Sequence, residues 1–306
     1  MDPTTRPAVQ RGIQAGVAAY VLWGLLTIYW KQLSAFDAIE LIGWRLVMAA
    51  VVMIVVVTVR GRWPVLRAAF RSPRLIGRLA LAGSILTVNW TMYVYAVVND
   101  QIIETALGYF LAPLGTIALG VAVFGERLSA AKWFAVACAV IAVAVLTVSA
   151  GRVPYIAIAI AASWSLYGLA KRTVPLPPIE SLTGETLVLL GPAVAVIVWG
   201  TTRSDGIPAT AVGFDWLFLV GTGLTTAVPL LLFSVAARSV PFTVLGPLNY
   251  LVPLINFLLG WAVYDEPVPL VRFIGFLLIW CALVAVTIDT VRSSRRARPV
   301  PAVPLP

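Results

Sequence analysis

Asn89 and Tyr93 stand four residues apart in the run VNWTMYVYAVV, so a helix brings an amide and a phenol onto one face with Ala96 below them. Trp90 lies on the adjacent side. In an otherwise apolar run such an amide must find a partner, either a neighbouring helix or the contents of a wet cavity. Glu104 opens the next run shortly after Asp100; a carboxylate there either binds a cation or proton, or complements the start of a helix. Arg45 sits several residues inside an apolar segment, where an arginine costs about 2.5–3.5 kcal/mol at a helix centre, and it either snorkels outward or lines a cavity. Lys31 and Glu40 bracket one turn, and Lys171 and Glu180 bracket another; each set reads as helix-tying pairs or as a gate. This chemistry is binding and orientation. The chain has no histidine, which excludes a Ser-His-Asp triad, a histidine proton relay and a His-containing metal site. The two cysteines, Cys138 and Cys281, fall inside apolar segments and suggest no disulfide framework. No cofactor is expected, and no GxxxxGK[ST] phosphate loop occurs.

The elements that carry these residues are membrane spans. Apolar residues make up 60% of the 306 residues and charged residues 11%, against about 45–50% and about 25% in soluble domains. A span needs about 20 apolar residues, and segments of that kind run at 12–30, 38–59, 77–98, 102–124, 130–149, 154–171, 180–200, 214–237, 243–264 and 269–289. The first is read as a span rather than a cleaved leader. The expected fold is an all-α integral membrane protein of ten helices. The net charge of +9 does not indicate nucleic acid. Six arginines (Arg60, Arg62, Arg67, Arg71, Arg74, Arg78) cluster between the second and third spans, and four more (Arg292, Arg295, Arg296, Arg298) follow the last. With both termini in the cytoplasm, only Lys31, Arg152, Arg203 and Arg272 fall in outer loops, as the positive-inside rule requires. The basic loops also suit anionic headgroups.

A single offset of 140 residues relates the two halves. Lys31 maps to Lys171, Glu40 to Glu180, Arg45 to Glu185, Tyr93 to Phe233, Pro113 to Pro253, Gly120 to Gly260 and Glu126 to Glu266. Each half holds five spans, an odd number, so the second enters the membrane from the opposite side. The expected domains are five-helix repeats at 12–149 and 154–289, with cytoplasmic tails at 1–11 and 290–306. Inverted repeats of this kind mark secondary transporters. Pro113 and Pro253 fall near the centres of spans four and nine and predict kinks that free the carbonyls of Tyr109 and Asn249. A freed carbonyl in hydrocarbon needs protein or a wet cavity, so the two defects point to a shared central cavity. Glu126 and Glu266 each end a span, and the favoured reading is that they fix a tight turn.

The run NWTMYVYAVVNDQIIETALGYFLAPL followed by GERLS resembles the RarD branch of the EamA transporters, in the drug/metabolite transporter superfamily. YVLWGLLTIYWKQL, LTTAVPLLLFSVAARSVPFTVLGPLNYLVPLINFLLGWAVYDE and FLLIWCAL are similar to the same branch. The resemblance covers nearly the whole chain and implies a ten-helix inner-membrane permease built of two five-helix repeats. It implies no particular cargo. Ala106, Ala112, Trp44 and Asn249 stand where that branch usually has serine, asparagine, histidine and glutamine, which implies a less polar cargo if those groups touch it.

These readings converge on a secondary transporter of a small organic metabolite or drug. Aromatic residues would stack the cargo and amides orient it, at Trp23, Asn89, Tyr93, Glu104, Tyr109, Asn249 and Tyr250. The alternative is a membrane-embedded scaffold or receptor without transport. A membrane enzyme lacks the acidic or Cys/His cluster it needs, and a channel lacks a filter motif. The expected partners are the cargo and the lipid bilayer; a monomer suffices to close a cavity, and a homodimer through peripheral helices is the other arrangement left open.

Overall fold

The computed structural model describes residues 5–125, 128–240 and 248–296, and every regular element among them is helical. The chain forms α1 (Thr5–Lys31), α2 (Ala38–Val59), α3 (Trp63–Phe70), α4 (Pro73–Val98), α5 (Ile102–Phe124), α6 (Ala130–Ala150) and α7 (Tyr155–Lys171). It continues with α8 (Pro178–Val188), α9 (Leu190–Thr201), α10 (Ile207–Thr210), α11 (Phe214–Ser239), α12 (Leu251–Ala262) and α13 (Leu270–Arg296). Seven are long and apolar enough to cross a membrane, or eight if the bent pair α8–α9 is one span; α7 and α12 are shorter apolar helices.

Local chemistry explains the boundaries. Asp37 caps α2 by accepting from the N–H groups of Ile39 (2.9 Å) and Glu40 (3.2 Å). Ser72 precedes Pro73 at the start of α4, and Ser129 caps α6 through the Lys132 N–H. Residues 180–200, expected as one helix, divide at Leu189 with a bend of 46°. Pro192 has no N–H to offer the Val188 carbonyl, so the ladder breaks one turn before it. The basic loop after α2 holds a helix that its composition hid. In α3, Leu66 and Ala69 are buried while Arg67 is exposed, and the Trp63 indole donates to Thr58 Oγ1 at 2.9 Å.

Two compact units result: residues 1–116 with 154–267, and 117–153 with 268–306. In the first, α1 and α2 pack on α11, α4 on α7, α2 on α9, and α1 on α12. Its largest core gathers Trp30, Leu33, Leu41, Val97 and Ile102. Close approaches use glycine where a side chain has no room. A Cβ on Gly24 would stand 2.8 Å from Ile255, and one on Gly108 would stand 2.9 Å from the Ala157 carbonyl. In the second unit α6 lies along α13, where Ser129 Oγ donates to Asp289 at 2.7 Å.

Three carboxylates tie distant segments of the first unit. Glu40 Oε2 accepts from the Ile207 N–H at the start of α10, 2.7 Å away, in a space left open by Gly200. Glu180 faces Arg62 Nε at 3.3 Å, one residue before α3. Glu266 accepts from Ile102 N (2.5 Å) and Ile103 N (2.9 Å), satisfying two of the orphan donors that open α5. The turn expected of Glu266 is therefore also a cap across the fold. Glu126, its counterpart in the sequence, lies outside the described residues.

Candidate functional site

A cavity of about 400 Å³ opens inside the first unit. Its walls include side chains three or four residues apart on three helices: Tyr20 and Trp23 from α1, Trp90 and Tyr93 from α4, and Trp164, Tyr167 and Lys171 from α7. Arg45 of α2, Tyr109 of α5, Leu182 of α8, and Thr226, Leu230 and Phe233 of α11 also line it, with Asn249, Val252 and Pro253 around the start of α12. The aromatic rings support one another. Tyr20 and Trp23 meet edge-on at 5.5 Å, Trp23 and Phe233 at 5.8 Å, and Tyr109 and Trp164 edge-on at 6.1 Å.

Arg45 is 4% exposed. Its Nε donates to Thr226 Oγ1 at 3.2 Å, and its guanidinium carbon lies over Trp90 at 4.0 Å and Trp30 at 5.4 Å, within cation–π range. Glu185, its sequence mate, lies with Lys171 instead. Lys171 also donates to Ser181 Oγ at 2.6 Å, and the Tyr167 hydroxyl donates to Glu185 Oε2 at 3.2 Å. Lys31 pairs with Asp100 and lies 5.2 Å from the Tyr264 ring. Neither lysine is paired with the glutamate that brackets its turn: Glu40 and Glu180 hold the starts of α10 and α3.

Of the residues expected at the site, the cavity gathers Trp23, Tyr93, Tyr109 and Asn249. Asn89 is fully buried beside it. Its amide donates to the Ile160 carbonyl and Ser163 Oγ, both at 3.0 Å, and its carbonyl accepts from the Tyr109 hydroxyl at 3.1 Å. It holds Tyr109 in the wall rather than forming the wall itself. Glu104 is buried in the first turn of α5 and Tyr250 is the N-cap of α12; neither lines the cavity. Pro113 stands within α5. Pro253 stands in the first turn of α12, because Asn249 and Tyr250 form a turn just before it; there its missing N–H breaks no bond of that helix.

A second polar layer adjoins the wall. Thr27 Oγ1 is 2.9 Å from the Tyr93 hydroxyl and donates to Asn256 Oδ1 at 3.0 Å, and the Asn256 amide donates to Thr105 Oγ1 at 3.1 Å. Trp90, Trp164, Tyr167 and Thr226 are wall residues that the sequence alone did not single out as cargo contacts. The available signal was aromatic spacing: Trp164, Tyr167 and Lys171 at i, i+3 and i+7 mark one face of α7.

Comparison with known proteins gives the lineage. The EamA-like transporter family model matches residues 10–148 and again 153–288. The chain is 41% identical over 288 residues to Protein RarD of Streptomyces exfoliatus, covering 94% of this chain and 91% of that one. It is 30% identical to Protein RarD of Escherichia coli strain K12, over 94% and 97% of the two chains. It is 33% identical to an uncharacterized transporter of Vibrio cholerae, over 97% and 98%. A crystal structure 22% identical in sequence superposes with a TM-score of 0.57 over 92% of this chain and 98% of that one, a likeness of fold. The chain belongs to the EamA-like transporter family, in its RarD branch.

Proposed function

We propose that this protein is a secondary transporter that carries a small organic molecule across the inner membrane by alternating access, with the aromatic cavity as its cargo site. The observation that carries the reading is the cavity, whose walls combine residues before and after position 150. Its aromatic lining with a few placed polar groups is what small-molecule sites have in general.

Ten spans in two inverted five-helix repeats account for the contacts. On this reading the seven long helices, the bent pair and the two shorter apolar helices count as ten crossings. The packing of α1 on α11 has its counterpart, 140 residues away, in that of α7 on α4. Glu40 holds the short helix that follows the α8–α9 span, and Glu180 faces the residue before the short helix that follows α2. Interchange of the two halves exchanges the open side, which is how such repeats give alternating access. The distribution of Lys and Arg supports both termini in the cytoplasm.

The test has two stages. A thermal-shift screen of the purified protein against amino acids, nucleosides, sugars, phenolics and chloramphenicol finds binders, because a ligand of the native state raises the melting temperature. Counterflow of each binder in proteoliposomes then follows. Accumulation in vesicles with the protein, absent without it, is expected; binders that never cross would overturn transport and leave a receptor.

A further inference from the structure

We infer that the cavity takes an organic monoanion, a carboxylate or sulfonate on a flat apolar body, with its anionic oxygens on the Arg45 guanidinium. The inference rests on the transporter reading and names the class of its cargo.

Arg45 carries five N–H donors in a planar fork. One goes to Thr226 Oγ1. The four on its Nη atoms have no protein acceptor among the described residues, and no described carboxylate forms an ion pair with it. Trp90 and Trp30 lie against the cation. A ring occupies the face of a guanidinium, whereas the N–H groups lie in its plane, so stacking leaves the fork available. A charge buried in a membrane protein is costly unless paired. Here the remaining direction is the cavity, which Arg45 lines. A planar fork is the geometry that takes two oxygens at once.

The charge of the cavity sets the charge of the cargo. Its other lining cation, Lys171, is met by Glu185. One positive charge is left over, which suits one negative charge rather than two. No Asp or Glu is among the described lining residues, so an ammonium group would meet no carboxylate among them, and Arg45 would repel it. The start of α12, with Asn249 and Val252 on the cavity wall, adds the partial positive charge of a helix N-terminus. The rings of Trp23, Trp90, Trp164 and Phe233 suit a flat apolar body.

The test titrates the full-length protein in lipid nanodiscs with 3-phenylpropionate, 3-phenylpropionamide and 3-phenylpropylamine, following tryptophan emission, since Trp23, Trp90 and Trp164 face the ligand. The expected result is that the carboxylate binds at least about tenfold tighter than the amide, with the amine weakest. In Arg45→Gln that preference disappears while the amide still binds, which also shows that the variant is folded. Arg45→Lys keeps the charge without the fork and retains a reduced preference; it decides the matter if Arg45→Gln does not fold. Equal or better binding of the amide, tightest binding of the amine, an unchanged preference in Arg45→Gln, or no binding of any probe at about 10 mM overturns the inference. Counterflow of benzenesulfonate, a permanent anion, separates the two readings. Anion-selective binding without flux removes transport and leaves the anion site; flux of neutral probes without anion preference removes the anion site and leaves transport.

Discussion

Asn89 directs its amide at the Ile160 carbonyl and Ser163, and its carbonyl at the Tyr109 hydroxyl. At ~0.6 kcal/mol for each hydrogen bond within a membrane, Asn89→Ala should cost roughly 2 kcal/mol, read as a lower melting temperature in detergent. It should also slow counterflow, because Tyr109 loses its anchor in the wall. Tyr109→Phe keeps the ring and loses one bond, so its thermal loss should be under half that of Asn89→Ala; an equal loss would mean that Asn89 acts elsewhere. The spacing of Asn89 and Tyr93 was legible as one helical face. What that face meets was not. Tyr93 and Trp90 reach the cavity, while Asn89 turns to α7, because four residues advance slightly more than one full turn and the neighbouring helix sets the rest. Arg45 was legible as an anomaly; its stacking on Trp90 joins α2 to α4 and has no local signature.

Helix ends and close approaches decide how these side chains are held. Glu266→Gln keeps the shape of the group and removes the charge that faces Ile102 N and Ile103 N. The loss should be about 1 kcal/mol, in the range measured for helix caps, seen as a lowered melting temperature. Two glycines give a contrast that packing alone predicts. Gly24→Ala drives a methyl group against Ile255, 2.8 Å away, and should destabilise by about 1–3 kcal/mol. Gly191→Ala has nothing within 4 Å of the new atom and should be neutral or stabilising by up to ~1 kcal/mol, since alanine suits a helix better. The same melting measurement ranks them, and a harmless Gly24→Ala would refute the close contact of α1 with α12. Apolar runs made the spans readable. The break at Leu189 was not read, because the run around Pro192 is as apolar as its neighbours. Helix α3 was hidden among arginines, whose count masks the buried pair Leu66 and Ala69.

For the whole molecule, the proposed inverted repeats make a testable statement about sides. The exposed residues Arg67 of α3 and Thr210 of α10 occupy equivalent stretches of the two halves, so they should face opposite compartments. In a chain freed of Cys138 and Cys281, Thr210→Cys should react with a membrane-impermeant maleimide on intact cells. Arg67→Cys should react only after permeabilisation. Labelling of both from one side would rule out the inverted arrangement. The 140-residue offset was visible in the sequence because a few charged and proline positions recur, while the apolar residues between them drift freely.

Those recurring positions are not chemically equal in the fold. Glu40 meets a backbone N–H in a buried setting, whereas Glu180 meets Arg62, whose side chain is 51% exposed. Electrolyte reaches a half-exposed ion pair more readily than a buried hydrogen bond. The two contacts therefore respond differently to ionic strength: raising it weakens the half-exposed Arg62–Glu180 pair more than the buried hydrogen bond of Glu40. In a carrier that worked by exchanging these two halves, that difference would tune one side by the salt of the solution it faces and leave the other far less sensitive to it.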